Sequence, residues 1–344
     1  MTNDYILVVN TIRDNASQLY QERIPVATRE NFSEVGQAIM DYKPTKNEFI
    51  DAIYNKVAFA VADVKRWTNK LKALKGGNKL FGEAVEEQFV NPIIGEEFDG
   101  NAQDLLAIAK ADVKVVYHTR NRRGKYKVSI SNAMLRKAFK SPEEMGALVN
   151  YIITQMYNGD EMDEYLLMKQ LINEALVKDA FVSYEVEYDG KGDSCKDVIK
   201  MIRTLAPLFD IPKTDFNSYN KANADAIAGG TLTAAVNWCP ADRQVLIIRA
   251  DVEAACDVEV LASAMNMNKT DFLQRKIVVD DFGDSDTLCL LCDESIFKIY
   301  DEEYTLEEFN NGSTLTTTYF LHHWQMMSLS PFGNAVAIKS KASA

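Results

Sequence analysis

The chain has 344 residues, with 38 Lys plus Arg against 50 Asp plus Glu, a formal net charge of −12, and 47% hydrophobic residues. That length exceeds the ~250–300 residues at which single cores stop growing, so more than one subdomain is expected. The acidic balance opposes a broad grip on nucleic-acid phosphates, and the five scattered cysteines oppose a disulfide-stapled secreted scaffold. No apolar run approaches a membrane span, and residues 1–10 hold no Lys or Arg, so neither a membrane anchor nor a secretory signal is expected.

Residues 1–44 read as an N-terminal arm. Short apolar pieces at 5–9 and 24–27 alternate with polar ones, and Pro25 and Pro44 are expected to break any long helix. Phe49, Ile50, Ile53, Val57 and Phe59 then track one face of a helix over 47–60.

Residues 65–128 form a charge-segregated excursion. Lys65, Arg66, Lys70, Lys72 and Lys75 precede Gly76-Gly77, and Glu83, Glu86, Glu87, Glu96, Glu97 and Asp99 follow. A second basic run holds Lys114, Arg120, Arg122, Arg123, Lys125 and Lys127. Strand patterns at 113–117 and 126–130 around the turn 121–124 predict a hairpin. So little apolar content is better stabilised against a neighbouring subunit of complementary charge than alone. Lys70, Lys72, Lys75, Glu83, Glu86, Glu87, Arg120, Arg122, Arg123 and Lys125 are therefore the candidate inter-subunit contacts. Reversing Arg120, Arg122 and Arg123 to Glu is expected to impair association and leave folding intact.

Ser141-Pro-Glu-Glu144 is a capping box with Pro at the first helical position. Met145, Leu148, Val149, Ile152, Ile153 and Met156 follow at helical spacing, and the pattern resumes beyond Asn158-Gly159. The result is a spine helix over 142–178, about 55 Å long, with a kink at Gly159. Strands are expected at 181–188, 244–250, 277–279, 288–292, 296–300, 315–329 and 336–338, and helices at 194–208 and 258–265. Without regular βαβ alternation the class is α+β.

Fragments with catalytic associations do not combine. Asp281-Phe-Gly283 matches the kinase magnesium triplet, yet no glycine-rich loop or His-Arg-Asp stretch accompanies it. Cys289 and Cys292 have the spacing of a metal or redox pair, but on a strand residues three apart face opposite ways, which makes them buried structural thiols. His322-His323 face opposite ways for the same reason, and His118 stands elsewhere. No catalytic residue, cofactor or metal is expected, and the class is not an enzyme.

Longer strings carry more. Val258-Glu-Val-Leu-Ala-Ser-Ala-Met-Asn-Met-Asn-Lys-Thr-Asp-Phe-Leu273 with Val278 to Gly283 resembles a segment of the major capsid proteins of small short-tailed phages, best the group infecting Bacillus. Pro25-Val-Ala-Thr28 with Glu34-Val-Gly36, Tyr117-His-Thr-Arg-Asn-Arg-Arg-Gly-Lys-Tyr126, Asp163-Glu-Tyr165, and His322-His-Trp-Gln-Met-Met-Ser-Leu-Ser330 with Asn334-Ala-Val-Ala337 agree in order and spacing.

The resemblance implies the tailed-phage capsid fold of the Hong Kong ninety-seven type. Its parts here are an N-terminal arm (1–44), an extended loop (65–128), a peripheral domain (45–64, 129–189 and 305–344, with the spine helix 142–178) and an axial domain (190–304). It also implies pentamers and hexamers of an icosahedral or prolate shell in the virion, assembled in the host cytoplasm around double-stranded DNA. A scaffolding protein and a portal are further implied partners. Some relatives carry an immunoglobulin-like domain beyond this core, and surface decoration of that kind is expected to be absent. An encapsulin-like compartment shell of the same fold, and a thiol or metal enzyme using Cys289, Cys292 and a histidine, stay open as alternatives.

Overall fold

The computed structural model describes residues 2–60, 67–77, 84–93, 95, 111–190, 193–263 and 275–341. In chain order the elements used below are helices α1 (Thr2–Asp14), α2 (Gln18–Arg23), α3 (Phe32–Asp41) and α4 (Lys43–Ala60), strands β1 (Ala84–Val90), β2 (Val113–Thr119) and β3 (Arg122–Ser131), and helices α5 (Asn132–Ala138), α6 (Pro142–Ile152) and α7 (Gly159–Val177). Next come β4 (Val182–Val186), α8 (Asp193–Phe209), α9 (Ser218–Ala222), α10 (Ala224–Ala228), β5 (Gln244–Arg249), α11 (Ala250–Ser263), β6 (Arg275–Val279), β7 (Thr287–Asp293), β8 (Phe297–Asn311), β9 (Thr316–Leu329) and β10 (Ala335–Ser340). The chain divides into two units. Unit 1 is Met1–Asn69, Arg123–Glu164 and Glu303–Trp324; unit 2 is Lys70–Arg122, Tyr165–Glu302 and Gln325–Ala344.

Unit 1 has a helical core closed on one side by a sheet. Val8, Val9, Ile12, Tyr20, Phe32, Val35 and Ile39 from α1, α2 and α3 are buried with Phe49 and Ile50 of α4, Val128 and Ile130 of β3, and Tyr319 and Leu321 of β9. Residues 2–41 are thus largely helical where short broken pieces are expected. Pro44 is the reason at one end: it is the second residue of α4, in the first turn, where its missing N–H costs no intrahelical bond. Pro25 lies between α2 and α3. Gly36 of α3 faces the ring of Phe139, which leaves no room for a Cβ. That ring is held against Phe49, with centroids 5.0 Å apart.

The expected spine is a helical run with an internal irregularity. Glu144 N donates to Ser141 Oγ at 3.3 Å, as the capping box requires. A π-helical turn, Ile153–Asn158, separates α6 from α7, so the break lies just before Gly159 rather than at it. A π turn shifts the hydrogen-bond register by one residue and needs no glycine. Asn158 Oδ1 accepts from Trp67 N at 3.1 Å.

Unit 2 is built on a five-stranded sheet in the order β4-β10-β7-β5-β6. Val245 and Ile247 of β5 and Ala335 and Ala337 of β10 join Met168, Ile172 and Leu176 of α7 in one buried layer. Their alternates Leu246, Ile248, Val336 and Ile338 meet Val198, Ile202, Leu205 and Phe209 of α8 and Val252 of α11 on the other. Every residue of β7 is buried, as a central strand covered on both faces must be. α11 begins eight residues earlier than the expected helix at 258, and the rest of the 264–274 string lies outside the described residues.

The hairpin expected around 121–124 does not form. β2 pairs antiparallel with β1, in the register Glu86↔Tyr117 and Val90↔Val113. β3 instead joins the three-stranded sheet β3-β9-β8. Asn121 accounts for the difference: its Nδ2 donates to Met327 O at 2.7 Å, and its Oδ1 accepts from Met327 N at 2.9 Å. The side chain copies a backbone ladder and delivers the chain to β9 instead of turning it back.

Candidate assembly surface

The β1–β2 ribbon has two unlike faces because side chains alternate along each strand. Glu87, Phe89, Lys114 and His118 point toward the rest of unit 2. Glu87 Oε1 accepts from Lys298 Nζ (2.9 Å) and Ser330 Oγ (2.9 Å), and Glu87 Oε2 lies 3.0 Å from His118 Nε2. A carboxylate only accepts, so Nε2 donates to Glu87, and His118 Nδ1 lies 2.8 Å from Ser328 Oγ. Burial raises the Glu87 carboxyl, while the bonds from His118, Lys298 and Ser330 lower it by more, leaving it below its ordinary value. Phe89 stacks on Phe332 with centroids 4.9 Å apart, and Tyr219 meets the same ring at 5.4 Å. Asn91 fixes the ribbon's end: its Nδ2 donates to Ala234 O at 2.7 Å and its Oδ1 accepts from Val236 N at 2.9 Å.

Among the described residues nothing covers the other face. Val90, Val113, Val115 and Tyr117 stand side by side on it, Tyr117 65% exposed, and Ile93 just beyond is 85% exposed. Grouped apolar exposure of this kind marks an interaction surface.

The sequence candidates divide between the units. Lys70 and Lys72 are exposed, and exposed Glu86 accepts from Gln88 Nε2 at 2.7 Å. Lys75 Nζ is 2.8 Å from Asp301, and Arg120 Nε is 3.2 Å from Glu302. Arg122, 8% exposed, donates to buried Gln325, which in turn donates to Asp301 at 2.6 Å. These partners all lie within unit 2. Arg123 and Lys125 belong to unit 1, over the rings of Trp324 (5.6 Å) and Phe320 (5.8 Å). Glu83, with Lys65, Arg66, Glu96, Glu97 and Asp99, lies outside the described residues. Phe89 and Asn91 are not among the sequence candidates, and Asn121 stands there only as the start of a turn. The Asn91-Pro92 pair was the available signal, since Asn before Pro starts turns.

The enzyme-like fragments have structural places. Cys289 lies in the layer of α8 and Cys292 in the layer of α7, on opposite faces of the sheet, and burial pushes both thiols up. His323 is buried with Nδ1 2.7 Å from Asp160 Oδ1, whereas His322 points the other way and meets Trp324 edge-on. Asp281 Oδ1 accepts from Gly283 N at 2.7 Å, closing a turn in which Gly283 has φ +74° and Phe282 is buried.

The fold is shared with solved phage capsid structures. The capsid structure of Staphylococcus phage Andhra is similar with a TM-score of 0.64 at 13% identity, over 80% of this chain and 84% of that one. The fold is the capsid fold of the Hong Kong ninety-seven type, in class α+β.

Residues 9–339 match the sequence pattern of the Phi29-like phage major capsid protein family, and the chain belongs to that family. It is 30% identical over 338 residues to the major capsid protein of Bacillus phage PZA, covering 97% of this chain and 72% of that protein. It is 27% identical over 350 residues to the major capsid protein of Streptococcus phage Cp-1, covering 95% and 92%. The chain is a phage major capsid protein and its place is the virion. These relatives favour a phage shell over an encapsulin-like compartment, and they are structural proteins rather than enzymes. No helix among the described residues is long and apolar enough to cross a membrane.

Proposed function

We propose that the chain forms the pentamers and hexamers of an icosahedral or prolate shell around packaged double-stranded DNA, and that the outward face of the ribbon is its contact with an adjacent copy. The observation that carries this reading is the row Val90, Val113, Val115 and Tyr117 on a ribbon whose opposite face is already bound. Burying such side chains is worth about 1.5–3 kcal/mol each, enough to drive association when summed over many copies. Exposed Glu86 and Gln88, opposite Tyr117 and Val115, supply polar contacts within that face, and exposed Lys70 and Lys72 are further candidates for polar contact. In this reading residues 65–128 are the extended loop, 1–44 the N-terminal arm, 190–304 the axial domain, and the remainder the peripheral domain. A scaffolding protein and a portal are the partners of assembly. The net charge of −12 supports a container that releases DNA without adhesion to its wall.

The test is Val115→Asp combined with Tyr117→Asp, read by light scattering, electron microscopy and circular dichroism. Folded protein without shells is expected. Shells at wild-type yield contradict the reading.

A further inference from the structure

The sheet of unit 1 has a second face, turned away from the core, whose side chains follow a repeated order. Val128 and Ile130 of β3, Tyr319 and Leu321 of β9, and Leu306 of β8 pack on the core. Strand alternation therefore turns Arg123, Lys125 and Lys127 outward, with Phe320, His322 and Trp324. The contacts fix the register on one side. Ser129 and Thr318 hydroxyls are 2.9 Å apart, Lys127 lies 5.9 Å from the Phe320 ring centre, and Arg123 lies over Trp324. On the other side β8 and β9 are joined by residues 312–315 and run antiparallel. Thr317 Oγ1 donates to Asn310 Oδ1 at 2.7 Å, and Tyr304 meets His323 edge-on at 4.9 Å. That register sets Glu307 beside Phe320 and Glu303 beside Trp324.

Two rows across the sheet thus read cation, aromatic, carboxylate: Lys127–Phe320–Glu307 and Arg123–Trp324–Glu303. Within one chain the opposite charges of a row are two strand spacings apart, about 9.6 Å, which is too far to pair. A second copy turned about a two-fold axis parallel to the strands lays each cation over a carboxylate and each ring over its own counterpart. A two-fold axis demands such self-complementarity, and these two rows meet it, while the row between them, Lys125–His322–Thr305, brings no like charges together across the axis.

We propose that this outward face is a two-fold interface with a second copy of the chain, the axis running along β9. The proposal rests on the shell reading and adds a contact separate from the ribbon. A polyanion is the less favoured occupant, because the carboxylates of the same rows repel phosphate.

His322 lies between the two rows, next to the proposed axis, so a thiol there faces its own copy. All five native cysteines are buried, so His322→Cys provides the one exposed thiol among them. Facing sheets lie about 10 Å apart, which suits a short bis-maleimide rather than a direct disulfide. Cross-linked dimer in H322C shells and none in wild-type shells is the expected result; H322C shells without dimer overturn the inference. If H322C itself stops assembly, charge reversal decides. Lys127→Glu and Glu307→Lys should each reduce shell yield and together restore it. No rescue, or no effect of either reversal, overturns the two-fold, and a loss of bound nucleic acid on K127E alone assigns the face to phosphate instead. A wild-type chain that forms no shells counts against the shell reading, and dimer cross-linking of H322C in solution then tests the two-fold by itself.

Discussion

Glu87 of β1 and His118 of β2 meet 3.0 Å apart on the ribbon's inner face, and the same carboxylate holds Lys298 of β8. One half-buried acid therefore ties two strands of the ribbon to the strand beneath. A carboxyl whose folded pKa is depressed contributes stability above its unfolded pKa and loses it as pH falls through the folded value. The Glu87 carboxyl lies below its ordinary 4.5, so the tie holds at neutral pH and weakens on acidification below that. Protection of the β1 and β2 amides, taken relative to intrinsic exchange at each pH, should be high at pH 7 and fall in that acid window. E87Q should remove the acid step and raise exchange at pH 7, corresponding to a loss of roughly 1–3 kcal/mol.

The arginines of the second basic run separate under reversal. Arg122→Glu puts a carboxylate beside buried Gln325 and close to Asp301, a fold-destabilising change on the order of 3–5 kcal/mol. Arg123→Glu changes an exposed side chain over Trp324 and should lower the melting temperature little. Thermal unfolding of the two single variants checks this. Equal melting temperatures would contradict it, and the triple reversal is expected to damage folding as well as association.

Gly36→Val tests the core of unit 1. A side chain at that position runs into the Phe139 ring, which Phe32 and Phe49 hold from either side, so overpacking should cost about 1–3 kcal/mol or more. Chemical denaturation should show a midpoint shift without a large change in slope.

Cys289 and Cys292 should behave as core side chains. With all five thiols buried and these two raised by burial, a thiol reagent should label the native protein slowly and the denatured protein fully. Rapid native labelling of either would point to a reactive thiol.

Local signals were readable in the sequence. Ser141 caps its helix as the string requires, and the apolar runs of β5 and β7 gave buried strands because a strand covered on both faces needs no polar alternation. What stayed hidden depends on distance along the chain. Asn121 finds Met327, 206 residues away, and that bond decides that β3 pairs with β9. β1 was legible only as an acidic stretch, since Glu86, Glu87 and Gln88 mask a strand whose inward positions are bound by Lys298 and His118. Pro44 reads as a breaker and acts as a starter, because helix position reverses its effect. The exposed ribbon face is hidden in the sequence for a related reason: charge dominates the excursion, while Val90, Val113, Val115 and Tyr117 come together only once β1 and β2 pair.

The most direct measurement is a cryo-electron-microscopy reconstruction of shells formed by this chain, at side-chain resolution. The account predicts that Val115 and Tyr117 of each copy are buried against a neighbouring copy, with Glu87 still bonded to His118 and Lys298 beneath them. Shells in which Val115 and Tyr117 face solvent in every copy would contradict it.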